Sequence, residues 1–160
     1  LRIYENLNLY PLIKFIPNFV DETEIYQIHQ SCDCFVMPSC GEAFCRPAID
    51  AMGFGNTPVV TNNTGMNDFV NEDTGWLVPS YKAPVNTDSP PLPWIYTGRE
   101  TWQQIDILEL GHSMRKCFEL QQNGKRDIMQ STGKKLIMNN FSHKAIGKRI
   151  KQALDDYTSN

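Results

Sequence analysis

The sequence predicts an α/β fold: a parallel sheet covered by helices on both faces, with further helices after it. Three observations predict this. Short apolar runs of strand length, "LIKFI", "CFVM", "TPVV" and "GWLV", recur through the first half of the chain. Segments with helical spacing or helix-start chemistry lie between them, the alternation that builds parallel sheets. Beyond residue 100 the strand runs stop and three stretches of helical periodicity follow.

Each element has its own warrant. The run at residues 12–16 reads as a strand closed by Pro17 and Asn18. Asp21 suits an N-cap, with Glu22 and Glu24 favoured in the first turn and Ile25, Ile28 and Cys32 at helical spacing behind them. "CFVM" reads as a buried strand stopped by Pro38. Pro47 fits the first position of the next helix, where its missing N–H is not needed, and Gly53 and Gly55 end that helix. "TPVV" is a buried strand, "GMNDFV" is helix-like, and "GWLVP" is a strand again. Residues 79–94 hold five prolines without periodicity and read as an excursion lacking regular structure. Ile107, Leu110, Met114 and Phe118 form one helical stripe, behind a possible Asp106 cap. A second helix is expected at 125–138 and a third, capped by Ser142, carries Ile146, Ile150, Leu154 and Tyr157. The expected organisation is therefore one domain with a core at 1–78, an excursion at 79–100 and packed helices at 101–160.

Composition narrows the function. The chain has 160 residues, 41% hydrophobic and 21% charged, with net charge -3, which suits a globular core and excludes a disordered chain. A charge of that sign gives no general affinity for nucleic acid. No run reaches the roughly 18 apolar residues of a membrane span, and no signal segment opens the sequence. The charge is uneven, -7 over residues 1–100 and +4 over 101–160. Lys144, Lys148 and Lys151 share one helical face, which reads first as a solvated face and second as a patch for an anionic partner or membrane surface. Cys32, Cys34, Cys40 and Cys45 lack the paired C-x2-C spacing of zinc sites, so no metal is expected, and free thiols in a reducing, cytoplasmic compartment are. His29, His112 and His143 lack acid partners at catalytic spacing, so structural or exposed roles are expected.

The stretch "SCGEAFCRPAIDAMGFGNTPVVTNNTG" carries the chemistry. Glu42 falls in the loop after a strand, and Asp50 in the first turn of the helix that opens at Pro47. Ligands of open parallel sheets gather at such strand ends, and a helix start favours phosphate. Carboxylates on either side accept hydrogen bonds from sugar or ribose hydroxyls. A ligand with sugar, pyrophosphate and ribose in line satisfies all three features.

These residues resemble a family. "GEAFCRPAIDAMGFGNTPVVTNNTGMNDFVNEDTGWLV" is similar to the signature block of retaining GT-B glycosyltransferases of family 4, the glycosyl transferases group 1. Glu42, Phe44, Pro47, Ala51, Met52, Gly55, Pro58, Val59, Val60, Thr74, Gly75, Leu77 and Val78 fall in step with it, and the resemblance covers residues 10–78. It implies a Rossmann-like parallel sheet, the C-terminal half of a GT-B fold, with extra C-terminal helices. It implies a hexosyltransferase that moves a sugar from a UDP- or GDP-linked donor with retention of configuration, using no cofactor and no metal. By the same resemblance Glu42 is the catalytic candidate and touches the donor sugar. The main chain of Ala43, Phe44, Cys45 and Arg46 holds sugar hydroxyls and the distal phosphate. Asp50 stands on the ribose, and Phe15, Pro17, Asn18 and Val20 pack beside the base. Three positions depart from the family pattern: Asp50 replaces Glu, Cys45 replaces Gly, and Arg46 replaces an apolar residue. Nothing resembles the acceptor-binding half, so the chain is expected to be a C-terminal part that is inactive by itself. Its parent protein would be cytoplasmic, with peripheral membrane association as an option. A non-catalytic module that binds a nucleotide or a protein partner is the alternative.

Overall fold

The computed structural model describes residues 13–85, 94–122 and 126–158. Its elements are α1 (Glu22–Ser31), β1 (Cys34–Met37), α2 (Arg46–Phe54), β2 (Thr57–Thr61), a 3-10 turn (Thr64–Asp68), β3 (Trp76–Val78), β4 (Ser80–Pro84), β5 (Thr101–Ile105), α3 (Ile107–Gln122), α4 (Arg126–Asn140) and α5 (His143–Thr158). Strands β1, β2 and β3 form a parallel sheet in that order, with Val36 opposite Val59 and Val60 opposite Leu77. β4 and β5 form a separate antiparallel ribbon.

β2 is buried along its whole length, and alternation along it divides the core in two. Val60 joins Ala48, Ile49, Met52, Met66, Phe69, Val70 and Ile137, so α2, α4 and the 3-10 turn cover one face. Val59 joins Val78 and Cys117, with Leu110 and Ile105 at their edge, so α3 covers the other. The expected α/β fold, a parallel sheet with helices on both faces, is the one found. Full burial of side chains such as Met52, Met66 and Phe69 is worth about 1.5–3 kcal/mol each.

The caps follow the expected chemistry. Asp21 and Glu24 form a reciprocal capping box at α1, the Glu24 N–H donating to Asp21 at 2.8 Å and the Asp21 N–H to Glu24 at 3.0 Å. Asp106 accepts the Leu108 N–H at 2.7 Å and Ser142 the Ala145 N–H at 3.3 Å, at the starts of α3 and α5. Gly55 closes α2 with φ 95°.

Several expectations are corrected. Residues 13–16, expected as a strand, pair with nothing in a ladder, and Phe15 and Ile16 lie about half exposed; Leu12 lies outside the described residues. In α1 the stripe Ile25, Ile28 and Cys32 faces outward, and His29 faces in. That ring stacks on Phe54 at 5.7 Å, and Asn56 Oδ1 lies 3.3 Å from its Nδ1. A buried polar group with partners thus outcompetes the aliphatic stripe in setting the docked face. Gly53 lies inside α2, not beyond it. The helix-like "GMNDFV" is only a 3-10 turn, starting one residue earlier at Thr64.

The stretch 79–100 opens with β4, and 101–160 opens with β5 rather than a helix; residues 86–93 lie outside the described residues. "SYKAP" and "TWQQI" lack the apolar alternation of a half-buried strand because the ribbon is largely solvated. In α3 the buried side chains are Ser113 and Cys117, whereas Ile107, Met114 and Phe118 are 81%, 45% and 50% exposed. Small side chains let α3 approach the sheet closely, and that overrides the aliphatic stripe. Among the described residues of α5 none is buried, so its stripe of Ile146, Ile150, Leu154 and Tyr157 and its lysines are both exposed. Among the described residues no helix is long and apolar enough to cross a membrane.

Candidate functional site

The loop after β1 and the start of α2 form the centre of the site, at the carboxyl end of the parallel sheet. Glu42 is half-buried in that loop, and its carboxylate accepts the Cys45 N–H at 3.3 Å. The loop then turns sharply: Cys45 precedes α2 with φ 58° and ψ 63°, a left-handed conformation that costs a side-chain-bearing residue roughly 1–2 kcal/mol. It is the one non-glycine with positive φ among the described residues. A glycine would meet that backbone need without strain. The Cys45 thiol is buried in the core, and burial pushes its pKa up, so it stays a neutral packing group.

Three contacts fix the loop. Gly65, the second residue of the 3-10 turn, lies so close that a Cβ there would stand 2.1 Å from the Ala43 carbonyl oxygen. The Phe44 ring, 37% exposed, packs on Phe69 at 5.6 Å and on Phe141 at 5.7 Å. The Thr61 hydroxyl donates to the Ser39 carbonyl at 2.8 Å, tying the end of β2 to the loop. Phe44 therefore contributes its side chain to anchoring the loop.

Ala43 and Arg46 are exposed, and Pro47 lies at the helix start. Asp50 is exposed on the second turn of α2 rather than the first. Tyr26 of α1 bridges this helix to its neighbour. Its ring packs on Phe54 at 5.3 Å, and its hydroxyl donates to Glu22. That bond raises its pKa, and the charge of Asp50 acts in the same direction while Arg46 opposes it. Asp50 and Arg46 thus act electrostatically on the α1 side of the site.

The segment before α1 contributes a second concavity. Phe15, Pro17, Asn18 and Val20 line a pocket of about 490 Å³ with Glu24 and Ile28. The four residues expected beside a base are therefore gathered in one place. His29 has the structural role expected of it, whereas His112 does have an acid neighbour, Glu109 at 3.8 Å, on an exposed surface of α3. All five cysteines are free. The Cys117 thiol beside Cys34, and burial after it, hold the Cys34 thiol well above its ordinary range.

The family model of the glycosyl transferases group 1 matches residues 3–85. The chain belongs to that family. The matched span of this group 1 glycosyltransferase chain takes in the pre-α1 segment, the Glu42 loop, α2 and the strands through β4, while β5 and α3–α5 lie beyond it. No curated protein matches. A crystal structure of a glycosyltransferase from Rickettsia africae ESF-5 is similar in fold, with a TM-score of 0.68 and 20% identity over 99% of this chain and 35% of that one. The chain thus spans about a third of that protein's length.

Sequence reasoning overlooked Gly65 as a fixing point, although a glycine directly after "NNT", at a strand-to-helix turn, is a signal of close backbone approach. It also overlooked the β4–β5 ribbon at the edge of the site. The Gln103 N–H donates to the Cys40 carbonyl at 2.9 Å, and the Ser80 hydroxyl to the Asn62 carbonyl at 3.0 Å.

Proposed function

We propose that this chain is the donor-binding part of a retaining hexosyltransferase that uses a UDP- or GDP-linked sugar. The observation that carries the proposal is the loop from Glu42 to Cys45, pinned by Gly65 and Phe44 and leading into a helix with Asp50 on its second turn, within a chain of the group 1 family. The positive end of α2 stabilises the distal phosphate, each such interaction being worth about 0.3–1 kcal/mol where exposed. Arg46, at the first helical position, adds a guanidinium that can grip phosphate in a fork. Glu42 accepts hydrogen bonds from donor-sugar hydroxyls and stands beside the bond that breaks as the nucleoside diphosphate departs. Asp50 accepts from the ribose, reaching less far than a glutamate would. The pocket of Phe15, Pro17, Asn18 and Val20 takes the base. Charge on the leaving diphosphate falls on helix N–H groups and Arg46, so these residues need no metal for that task. The acceptor half and catalytic turnover then belong to a longer parent protein.

The test is chemical-shift perturbation with UDP, GDP, ADP and their glucose or mannose conjugates. A weak donor site, about -4 kcal/mol or millimolar, remains visible by this method. Saturable shifts at residues 42–50 that vanish in Glu42→Ala or Asp50→Ala are the expected result. A folded chain in which no nucleotide moves those signals would instead support a non-catalytic module.

A further inference from the structure

The β4–β5 ribbon walls a separate pocket next to the Glu42 loop. It measures about 320 Å³ and is lined by Cys40, Asn63, Lys82, Tyr96 and Gln103, with Gly41 at the Glu42 end. Three segments build it: the loop after β1, the loop after β2 and the ribbon. The hydrogen bonds from Gln103 to Cys40 and from Ser80 to Asn62 hold the ribbon against both loops. Lys82 and Gln103 stand directly opposite each other in the ladder, so their side chains share one face. Lys82 is the one charged residue lining the pocket, and it makes no ion pair among the described residues.

That lining has a definite chemistry. Two amides, a phenol and half-buried aromatic surface suit a hydroxylated ring, since amides both donate to and accept from hydroxyls. A single ammonium selects a ligand with one anionic substituent. Its location narrows the role, on the reading given above of where the donor lies. On that reading Glu42 meets the transferred sugar. Cys40 and Gly41, immediately before Glu42, already belong to this pocket. The next group beyond the transferred sugar is the molecule that receives it.

We propose that this pocket is an acceptor subsite for an anionic sugar, a hydroxylated ring bearing a phosphate or a carboxylate, with Lys82 as its charge-reading residue. The ribbon is then a specificity wall on the donor-binding part itself.

The experiment follows the side-chain amides of Asn63 and Gln103 and the backbone amide of Gly41 in the 160-residue chain. Glucose 6-phosphate, glucuronate, glucose and inorganic phosphate are titrated separately, and UDP and GDP are titrated in parallel. Saturable shifts with glucose 6-phosphate or glucuronate, at least tenfold weaker with glucose and with phosphate, are expected; which anion binds tells phosphate from carboxylate. Lys82→Ala, at an exposed position where folding is not at stake, weakens them at least tenfold, and Lys82→Arg restores part. Nucleotide shifts at 42–50 stay unchanged in both variants. If neither anionic sugar moves these amides, or if Lys82→Ala binds as well as wild type, or if inorganic phosphate binds as well as the sugar phosphate, the subsite is overturned, whatever the nucleotides do. Anionic sugars that bind here while nucleotides fail at 42–50 would uphold the pocket and remove the donor reading instead.

Discussion

Replacing glycine by alanine at three positions should change stability in opposite directions, and the sign at Gly65 tests how the Glu42 loop is held. A Cβ at Gly65 would stand 2.1 Å from the Ala43 carbonyl oxygen and 3.1 Å from the Phe44 Cα. Carbon–oxygen contacts relax only at about 3.3 Å, so the two segments must part by about 1.2 Å. Both sides are main chain, and no rotamer change can absorb the overlap. Overpacking of this kind costs about 1–3 kcal/mol, and the absence of a flexible neighbour puts Gly65→Ala at the upper end. At Gly111 in α3 and Gly147 in α5 an added Cβ would meet nothing within 4 Å, so each substitution there should stabilise by up to about 1 kcal/mol through helix propensity. Urea unfolding followed by circular dichroism measures all three. The expected spread between Gly65→Ala and either control is about 3–4 kcal/mol. A Gly65→Ala protein within about 0.5 kcal/mol of wild type, well inside the usual range for surface substitutions, would refute the claim that backbone contact fixes the loop. In the folded fraction of Gly65→Ala, nucleotide shifts at 42–50 should also weaken, because Glu42 moves with Ala43.

Other substitutions probe the same site. At Cys45, alanine keeps the left-handed strain and loses the buried thiol, whereas glycine removes the strain of roughly 1–2 kcal/mol. The two variants should therefore have nearly equal stability by urea unfolding, although at the buried neighbour Ala48 a change to glycine should cost at least about 1 kcal/mol. Arg46→Ala should weaken nucleoside-diphosphate binding with no loss of fold, and unchanged affinity in a titration would exclude Arg46 from the phosphate site. Glu100 accepts from the Thr97 hydroxyl and from the N–H groups of Thr97, Gly98 and Arg99; the Thr97 hydroxyl first, then its own N–H and those of Thr97 and Gly98, lower its pKa from 4.5 to about 2. A depressed folded pKa means the contribution is complete above the ordinary value and fades as pH falls from about 4.5 towards 2. Amide shifts of Thr97 and Gly98 should follow that titration, and a midpoint near the ordinary value would contradict the hydrogen-bonded turn. A thiol reagent should label exposed Cys32 in the native chain, while buried Cys45 and Cys117 react only on unfolding.

What the sequence disclosed divides along physical lines. Elements set by local chemistry were legible: the Asp21–Glu24 capping box, Pro47 and Gly55 around α2, and the all-buried run of β2. Docked faces were not. Ile25 and Ile28 form a good stripe on α1, yet His29 is the residue turned inward, because Asn56 and Phe54 are waiting for it. Ile107, Met114 and Phe118 likewise lost to Ser113 and Cys117 on α3. Period reports which residues share a face but not which face its neighbours can accept. The β4–β5 ribbon carries no buried stripe to betray it. At the site, Glu42 and Asp50 stood out by spacing and by family resemblance, and Cys45 was marked as a substituted glycine. The pinning of that loop by Gly65 comes from contact between segments about twenty residues apart, which no local pattern encodes.

The ribbon's separation from the parallel sheet sets two clocks in one molecule. No strand is shared between them, and a two-stranded ribbon is marginal on its own. It can therefore come away while Val59 and Val60 remain protected, so hydrogen exchange at Ala83, in the ladder opposite Trp102, and at Gln103 should run far ahead of exchange in β2. Each such opening breaks the bond from Gln103 to the Cys40 carbonyl and loosens the residues just before Glu42. The rate at which the site rearranges is then governed by the ribbon, and the global stability of the core has little say in it.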